Sequence, residues 1–176
     1  LGADVAETII PSASGIERSA TAPKTQNESV RRVGMVARIA PWKGQDLLIR
    51  AFASAFRGGT VQLVFAGAPE FGGESWLSEL HRLTRELGLT GRVAFEGHVE
   101  DVAGFIETLD ICVQASTRPE PLGQNVLQYL AAGNPTIATR EGGPGEWIRN
   151  GINGLAFTMG DADDLSRALV DLASDA

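Results

Sequence analysis

From Arg32 onward, short apolar runs alternate with longer stretches whose apolar residues recur every three or four positions. "RVGMVA" is followed by "GQDLLIRAFASAF", "VQLVFAG" by "ESWLSELHRLTRELG", and "RVAFEG" by "DVAGFIETL". The series continues with "DICVQAS" and "GQNVLQYLAAG", "PTIAT" and "GEWIRN", then "GLAF" and "DADDLSRALVDLASD". Short continuous apolar runs read as strands buried on both faces, and the helical period reads as amphipathic helices. Six such units in succession predict an α/β fold. The expected architecture is a Rossmann-like three-layer sandwich, a parallel sheet of about six strands with helices on both faces. Ligands of such folds sit in the crevice outside the carboxyl ends of the strands, so the loops after "MVA", "FAG", "FEG", "QAS" and "IAT" are where chemistry is expected. The preceding segment, from Pro11 to Ser29, is rich in Ser, Ala, Thr and Pro and reads as a linker or peripheral strap. The expected division is therefore a linker over residues 1–30 and one domain over residues 31–176.

Composition narrows the partners. A formal net charge of −7 argues against general nucleic-acid binding, which needs clustered Lys and Arg, and any anionic ligand must be met by a local positive site. The single cysteine, Cys112, has no partner for an internal disulfide, lies in an apolar run, and fits a small core residue in a reduced, cytoplasmic setting. No apolar run approaches the roughly 20 residues that cross a bilayer, and "LGADVAETII" is not a signal-peptide start. The sequon at Asn27 is read as a chance match. One cysteine and two well-separated histidines, His81 and His98, supply no ligand set, so no metal is expected. His81 falls on the polar side of its helix and is expected to be solvated.

Two loops carry candidate chemistry. "ARIAPWKGQDLLIRAF" places Arg38, Lys43 and Gly44 between a strand and a helix, where two cations would add to the positive end of the helix dipole and suit a diphosphate. It is neither a Walker loop nor a dinucleotide fingerprint, so the phosphate contacts would come from side chains; the alternative is a solvated loop with incidental charges. In "STRPEPLGQNVLQYLAAGNP" a helix is predicted to begin near Gly123, to bury Val126, Leu127, Leu130 and Ala131, and to stop at Gly133-Asn134-Pro135. The backbone N–H groups of Leu122, Gly123 and Gln124 then face an anion, and Glu120 is placed to accept sugar hydroxyls. Gln128 lies on the order of 12 Å further along the helix, the scale of an activated sugar. The plain alternative is that Glu120 only favours the helix dipole and Gln128 is a surface amide.

Taken in order, "GMVARIAPWKGQDLLIRAF", "LVFAG", "RVAFEGHV", "STRPEPLGQNVLQYLAAGNPTIAT" and "EGGPGEWIRNGINGLAF" resemble the C-terminal, donor-binding domain of family 4 retaining glycosyltransferases with the two-domain GT-B architecture. The resemblance runs from about Val33 to Leu165, and "ETIIPSASGIE" is similar to the linker strand that enters this domain. It implies that Arg38 and Lys43, with Gly44 beside them, hold the donor diphosphate. Glu120 contacts the transferred sugar, the amides of Leu122, Gly123 and Gln124 meet the distal phosphate, and Gln128 stands where the family holds the ribose. Gly97 and His98 fall near the nucleotide base, the alternative being an exposed loop histidine, and Gly142 and Gly143 would allow close backbone approach to a ligand, the alternative being a plain turn.

The implied activity is transfer of a hexose-type sugar from a nucleoside diphosphate sugar, a substrate rather than a cofactor, to an unknown acceptor. The implied partner is an N-terminal acceptor domain of the same protein, without which this chain is expected to be inactive alone; association with the inner face of a membrane would run through that missing part. Gln128 departs from the family pattern, where a second glutamate stands eight residues after the first. An amide has one acceptor oxygen and two donors, so the ribose contact should weaken by about 1 kcal/mol, too little to abolish binding. A degenerate paralogue, a non-catalytic nucleotide-sugar-binding module, and an epimerase of the same architecture remain alternatives.

Overall fold

The computed structural model describes residues 30–174, so the linker strand and the Asn27 sequon lie outside the described residues. The elements are β1 (Arg32–Val36), α1 (Gln45–Ala55), β2 (Gln62–Ala66), α2 (Glu74–Glu86), β3 (Val93–Gly97) and α3 (Val102–Glu107). They continue with β4 (Ile111–Val113), α4 (Gln124–Ala131), β5 (Thr136–Thr139), α5 (Gly143–Trp147), β6 (Leu155–Phe157) and α6 (Ala162–Ser174). A 3-10 turn, Pro41–Lys43, precedes α1.

The six strands form one parallel sheet in the order β3-β2-β1-β4-β5-β6. Successive side chains of a strand point to opposite faces, and both faces are covered. Val33, Met35, Leu63, Phe65, Ile111 and Val113 pack with Leu48, Phe52, Leu80 and Leu165, which come from α1, α2 and α6. On the other face, Val64 and Cys112 meet Ile106 and Tyr129, and Ala138 meets Val126 and Ile148. Each fully buried Leu or Phe contributes about 1.5–3 kcal/mol, so these layers hold the strand ends rigidly in register. Cys112 is a buried core residue, as its apolar context predicts.

One sequence expectation changes and another is refined. Helix α4 buries Val126, as expected, but its other fully buried residue is Tyr129, while Leu127, Leu130 and Ala131 are only half-buried. Tyr129 reaches inward because its hydroxyl accepts the Val36 N–H at 2.7 Å, so its polar tip is satisfied at the end of β1. His81 is on the exposed side of α2, but its ring meets the edge strand, 4.6 Å from the Phe95 centroid in an edge contact. An amphipathic ring at a sheet edge covers apolar surface that a purely solvated side chain would leave wet.

Candidate functional site

The chain-order reversal in the sheet falls between β1 and β4, the place where a parallel α/β sheet opens a crevice at its carboxyl edge. The two loops that leave these strands are pressed together by specific contacts. Gly44 has φ 75°, and a Cβ there would stand 1.9 Å from the Ala115 carbonyl oxygen, so only glycine allows this approach. The Thr117 N–H donates to the Trp42 carbonyl at 2.8 Å, fastening the β4–α4 loop to the 3-10 turn.

These contacts seat Lys43 against Glu120. Lys43 Nζ lies 2.9 Å from Glu120 Oε1, with side-chain exposures of only 13% and 11%. The ammonium also sits 4.1 Å from the Trp42 ring centroid. Ser116 Oγ donates to the same Oε1, and Gln114 Nε2 donates to it at 3.2 Å. Burial pushes the Glu120 carboxyl upward, but the donors Ser116, Lys43 and Gln114 outweigh it and hold the group below the ordinary carboxylate value. The carboxylate is thus ionised and acceptor-only, suited to receiving hydroxyl hydrogens.

The start of α4 is held from three sides. Gly123, at φ 68°, packs so closely on Pro144 that a Cβ would come within 2.7 Å of its ring. Trp147 Nε1 donates to the Leu122 carbonyl at 2.7 Å. Asn125 Nδ2 donates to the Val36 carbonyl at 3.2 Å, tying the helix to the end of β1. The first intrahelical bonds run from the Val126 and Leu127 N–H groups to the Gly123 carbonyl, at 2.9 and 3.4 Å. The N–H groups of Leu122, Gly123 and Gln124 therefore precede the helical ladder, at the positive end of its dipole.

An open cleft of about 310 Å³ lies between these loops, lined by Val36, Lys43, Glu120, Gln124, Asn125 and Gln128. Lys43, Glu120, Gln124 and Gln128, read from two distant segments, thus face one space. Leu122 and Gly123 adjoin it in the loop that carries Glu120, and Gly44 fixes the seat of Lys43.

The other candidates stand elsewhere. Arg38 is exposed and pairs with Glu70 at 2.6 Å, outside the cleft lining. Gly97 closes β3 at φ 69° with open space around it, and His98 beside it is exposed. Gly142 and Gly143 approach backbone rather than open space: a Cβ on Gly142 would lie 2.8 Å from the Glu120 carbonyl oxygen, and one on Gly143 would lie 2.4 Å from that of Pro121. The Gly143 N–H donates to the Glu120 carbonyl at 2.8 Å, so the glycine pair shapes the loop that bears the carboxylate.

Sequence reading missed Gln114, Ser116, Asn125 and Val36. One signal was available, a glutamine inside the apolar run "DICVQAS", where a buried amide must find partners. Among the described residues no group of three or more His, Cys, Asp or Glu side chains could hold a metal. The run Asp161-Ala162-Asp163 is used as a helix cap, with Asp161 Oδ1 accepting the Asp163 and Asp164 N–H groups at 3.0 and 2.9 Å. Among the described residues no helix is long and apolar enough to cross a membrane.

Known proteins share this fold. The chain is 40% identical over 96 residues to the lipopolysaccharide core biosynthesis glycosyltransferase LpsE of Rhizobium meliloti, covering 54% of this chain and 28% of that protein. It is 33% identical over 143 residues to the D-inositol 3-phosphate glycosyltransferase of Mycobacterium bovis, covering 80% of this chain and 29% of that protein. The chain therefore spans less than a third of the length of these curated relatives. Among solved structures, Anabaena HepE in complex with UDP-glucose superposes with a TM-score of 0.75 at 31% identity, over 82% of this chain and 42% of that one. The C-terminal domain of a group 1 glycosyltransferase from Francisella tularensis shares the fold with a TM-score of 0.68 at 22% identity, covering 82% of this chain and 84% of that one. The model of the family described as "Glycosyl transferases group 1" matches residues 18–176, and the chain belongs to that family.

Proposed function

We propose that this chain binds the nucleoside diphosphate sugar in a retaining glycosyltransferase that moves a hexose-type sugar to an acceptor held by a second domain. The observation that carries the reading is the half-buried Lys43–Glu120 pair in the switch-point cleft, with Gln128 two helical turns further on. An ammonium has three donors. One is used on Glu120, and the others remain for the donor diphosphate, whose distal phosphate also faces the N–H groups of Leu122, Gly123 and Gln124. Because Lys43 offsets the charge of Glu120, a carboxylate can stand beside a diphosphate without strong repulsion.

In the reaction the bond from the anomeric carbon to the phosphate oxygen breaks, and the diphosphate leaves with the electron pair. Lys43 and the start of α4 stabilise the charge that grows on it, a task they perform without reorganising because the loops are already fixed. Arg38 joins them by exchanging Glu70 for phosphate. Glu120 orients the sugar through its hydroxyls, and Gln128 bridges the ribose diol. The acceptor hydroxyl forms the new bond to the anomeric carbon on the face the diphosphate leaves, and its proton passes to the departing diphosphate oxygen. No metal is required in this reading, because cationic side chains and amides meet the leaving group; transfer should survive chelation with EDTA.

UDP-glucose is the first donor to test, since it occupies the related HepE, and a thermal-shift panel of UDP-, GDP-, ADP- and TDP-glucose sets it against the alternatives. A ligand at about 100 times its dissociation constant adds about 2.7 kcal/mol to stability. Stabilisation by none of the four, or stabilisation unchanged by Lys43→Ala, would overturn the reading.

A further inference from the structure

Gln114 is the residue after β4 and is wholly buried. Its amide is engaged at both ends. Oε1 accepts the Thr139 backbone N–H at 3.0 Å, with the Thr139 hydroxyl 3.1 Å away, and Nε2 donates to Glu120 Oε1 at 3.2 Å. A backbone N–H can only donate, so Thr139 determines which end of the amide is oxygen and turns the NH2 toward Glu120. Thr139 closes β5, the strand beside β4, so one side chain ties the carboxylate to the rigid sheet rather than to its own loop. Lys43, Ser116 and Gln114 all donate to Oε1, which leaves Oε2 as the oxygen for a ligand in the cleft that Glu120 lines.

We propose that Gln114 is a positioning residue for sugar recognition, holding Glu120 by Oε1 so that Oε2 accepts a hydroxyl of the transferred sugar. The proposal rests on the reading of Glu120 as the sugar contact. Gln114 touches no ligand in this arrangement. Its loss lets the carboxylate rotate, which weakens contacts to the sugar and spares those to the nucleotide.

The test is isothermal titration of UDP and UDP-glucose into the whole protein and its Glu120→Gln, Gln114→Leu and Gln114→Glu variants. The readout is the ratio of the two affinities, in which a general loss of nucleotide binding cancels. Gln114→Leu and Gln114→Glu should each lower the UDP-glucose affinity relative to UDP by about tenfold, a typical value for one charge-assisted hydrogen bond. Gln114→Glu separates positioning from scaffolding, because the introduced carboxylate still accepts from Thr139 but no longer donates to Glu120. A merely structural role predicts that this variant behaves as wild type.

Two carboxyls that share a site hold a proton more tightly than one alone. Lowering the pH toward 5 should therefore restore a donor to Glu120 and raise the ratio in Gln114→Glu relative to wild type at the same pH, a reference that removes the protonation of the terminal phosphate of UDP common to every variant. A ratio unchanged in both Gln114 variants, or no recovery at low pH, overturns the proposal. If Glu120→Gln also leaves the ratio unchanged, the sugar reading of Glu120 is what fails, and the role of Gln114 falls with it.

Discussion

Two ion pairs leave the same loop of this acidic chain, and they have little in common. Lys43–Glu120 has side chains 13% and 11% exposed, and Glu120 takes further donors from Ser116 and Gln114; Arg38–Glu70 is 64% and 37% exposed. An exposed pair is worth about 0–1 kcal/mol and is easily exchanged for another partner, whereas breaking a half-buried pair leaves a partly desolvated charge without its counter-ion. Proximity in sequence therefore says little about shared work. What separates the two cations is the turn at Gly44, which folds Lys43 onto the strand exit of β4 while Arg38 remains on the side of β2.

The largest loss is expected at Gly44. Gly44→Ala puts a methyl group against the Ala115 carbonyl at positive φ and should cost about 3 kcal/mol or more. Gly88→Ala, at φ 68° with nothing within 4 Å, carries backbone strain alone and should cost only about 1–2 kcal/mol. Urea midpoints that match for the two variants would refute the seating role given to Gly44.

Next in size is Lys43→Ala, which removes a charge-assisted contact and should weaken UDP binding by about 10- to 100-fold in calorimetric titrations. Arg38→Ala belongs at the small end of the range, with a loss of no more than about fivefold, since its gain on phosphate must offset the loss of Glu70. Equal effects in the two variants would show that the loops rearrange on binding and that the contrast belongs only to the unliganded protein.

Gln128 sharpens the picture between these limits. Gln128→Glu should improve the affinity of UDP over its 2′,3′-dideoxy analogue by up to about tenfold, because a carboxylate accepts from both ribose hydroxyls. Repulsion of the diphosphate is common to both ligands and cancels in the ratio. The same change for both would leave Gln128 as a surface amide.

The smallest effect is on pH dependence. Glu120 is held below the ordinary carboxylate value when folded, so its stabilisation is complete above about pH 5 and is lost as pH falls through the lower folded value. Urea midpoints should decline with acidification in that window, and less steeply in Lys43→Met, which lacks the charge that favours the ionised form. Parallel declines would show that Lys43 does not set the ionisation of Glu120.

The alternation of strand and helix patterns was enough to specify the Rossmann-like sheet, because burial on both faces leaves continuous apolar runs and the helices keep a 3.6-residue period. Lys43, Glu120, Gln124 and Gln128 were singled out in the sequence through the family resemblance, because by residue type alone they could equally have been incidental loop charges, a helix-dipole carboxylate and surface amides; the structure brings the four to one cleft. Tyr129, Gln114 and Ser116 were not legible. Their roles depend on which strand lies beside which, and local periodicity carries no information on strand order.

The same limit explains the glycines. Gly142 and Gly143 advertise close approach, but only the folded chain shows that what approaches is the backbone of Pro119, Glu120, Pro121 and Leu122. Local hydrophobic pattern and residue chemistry were enough to set the layers, the loops and the inventory of charges. The tertiary structure alone decided which cation meets Glu120, because that choice is made by contacts between segments 77 residues apart.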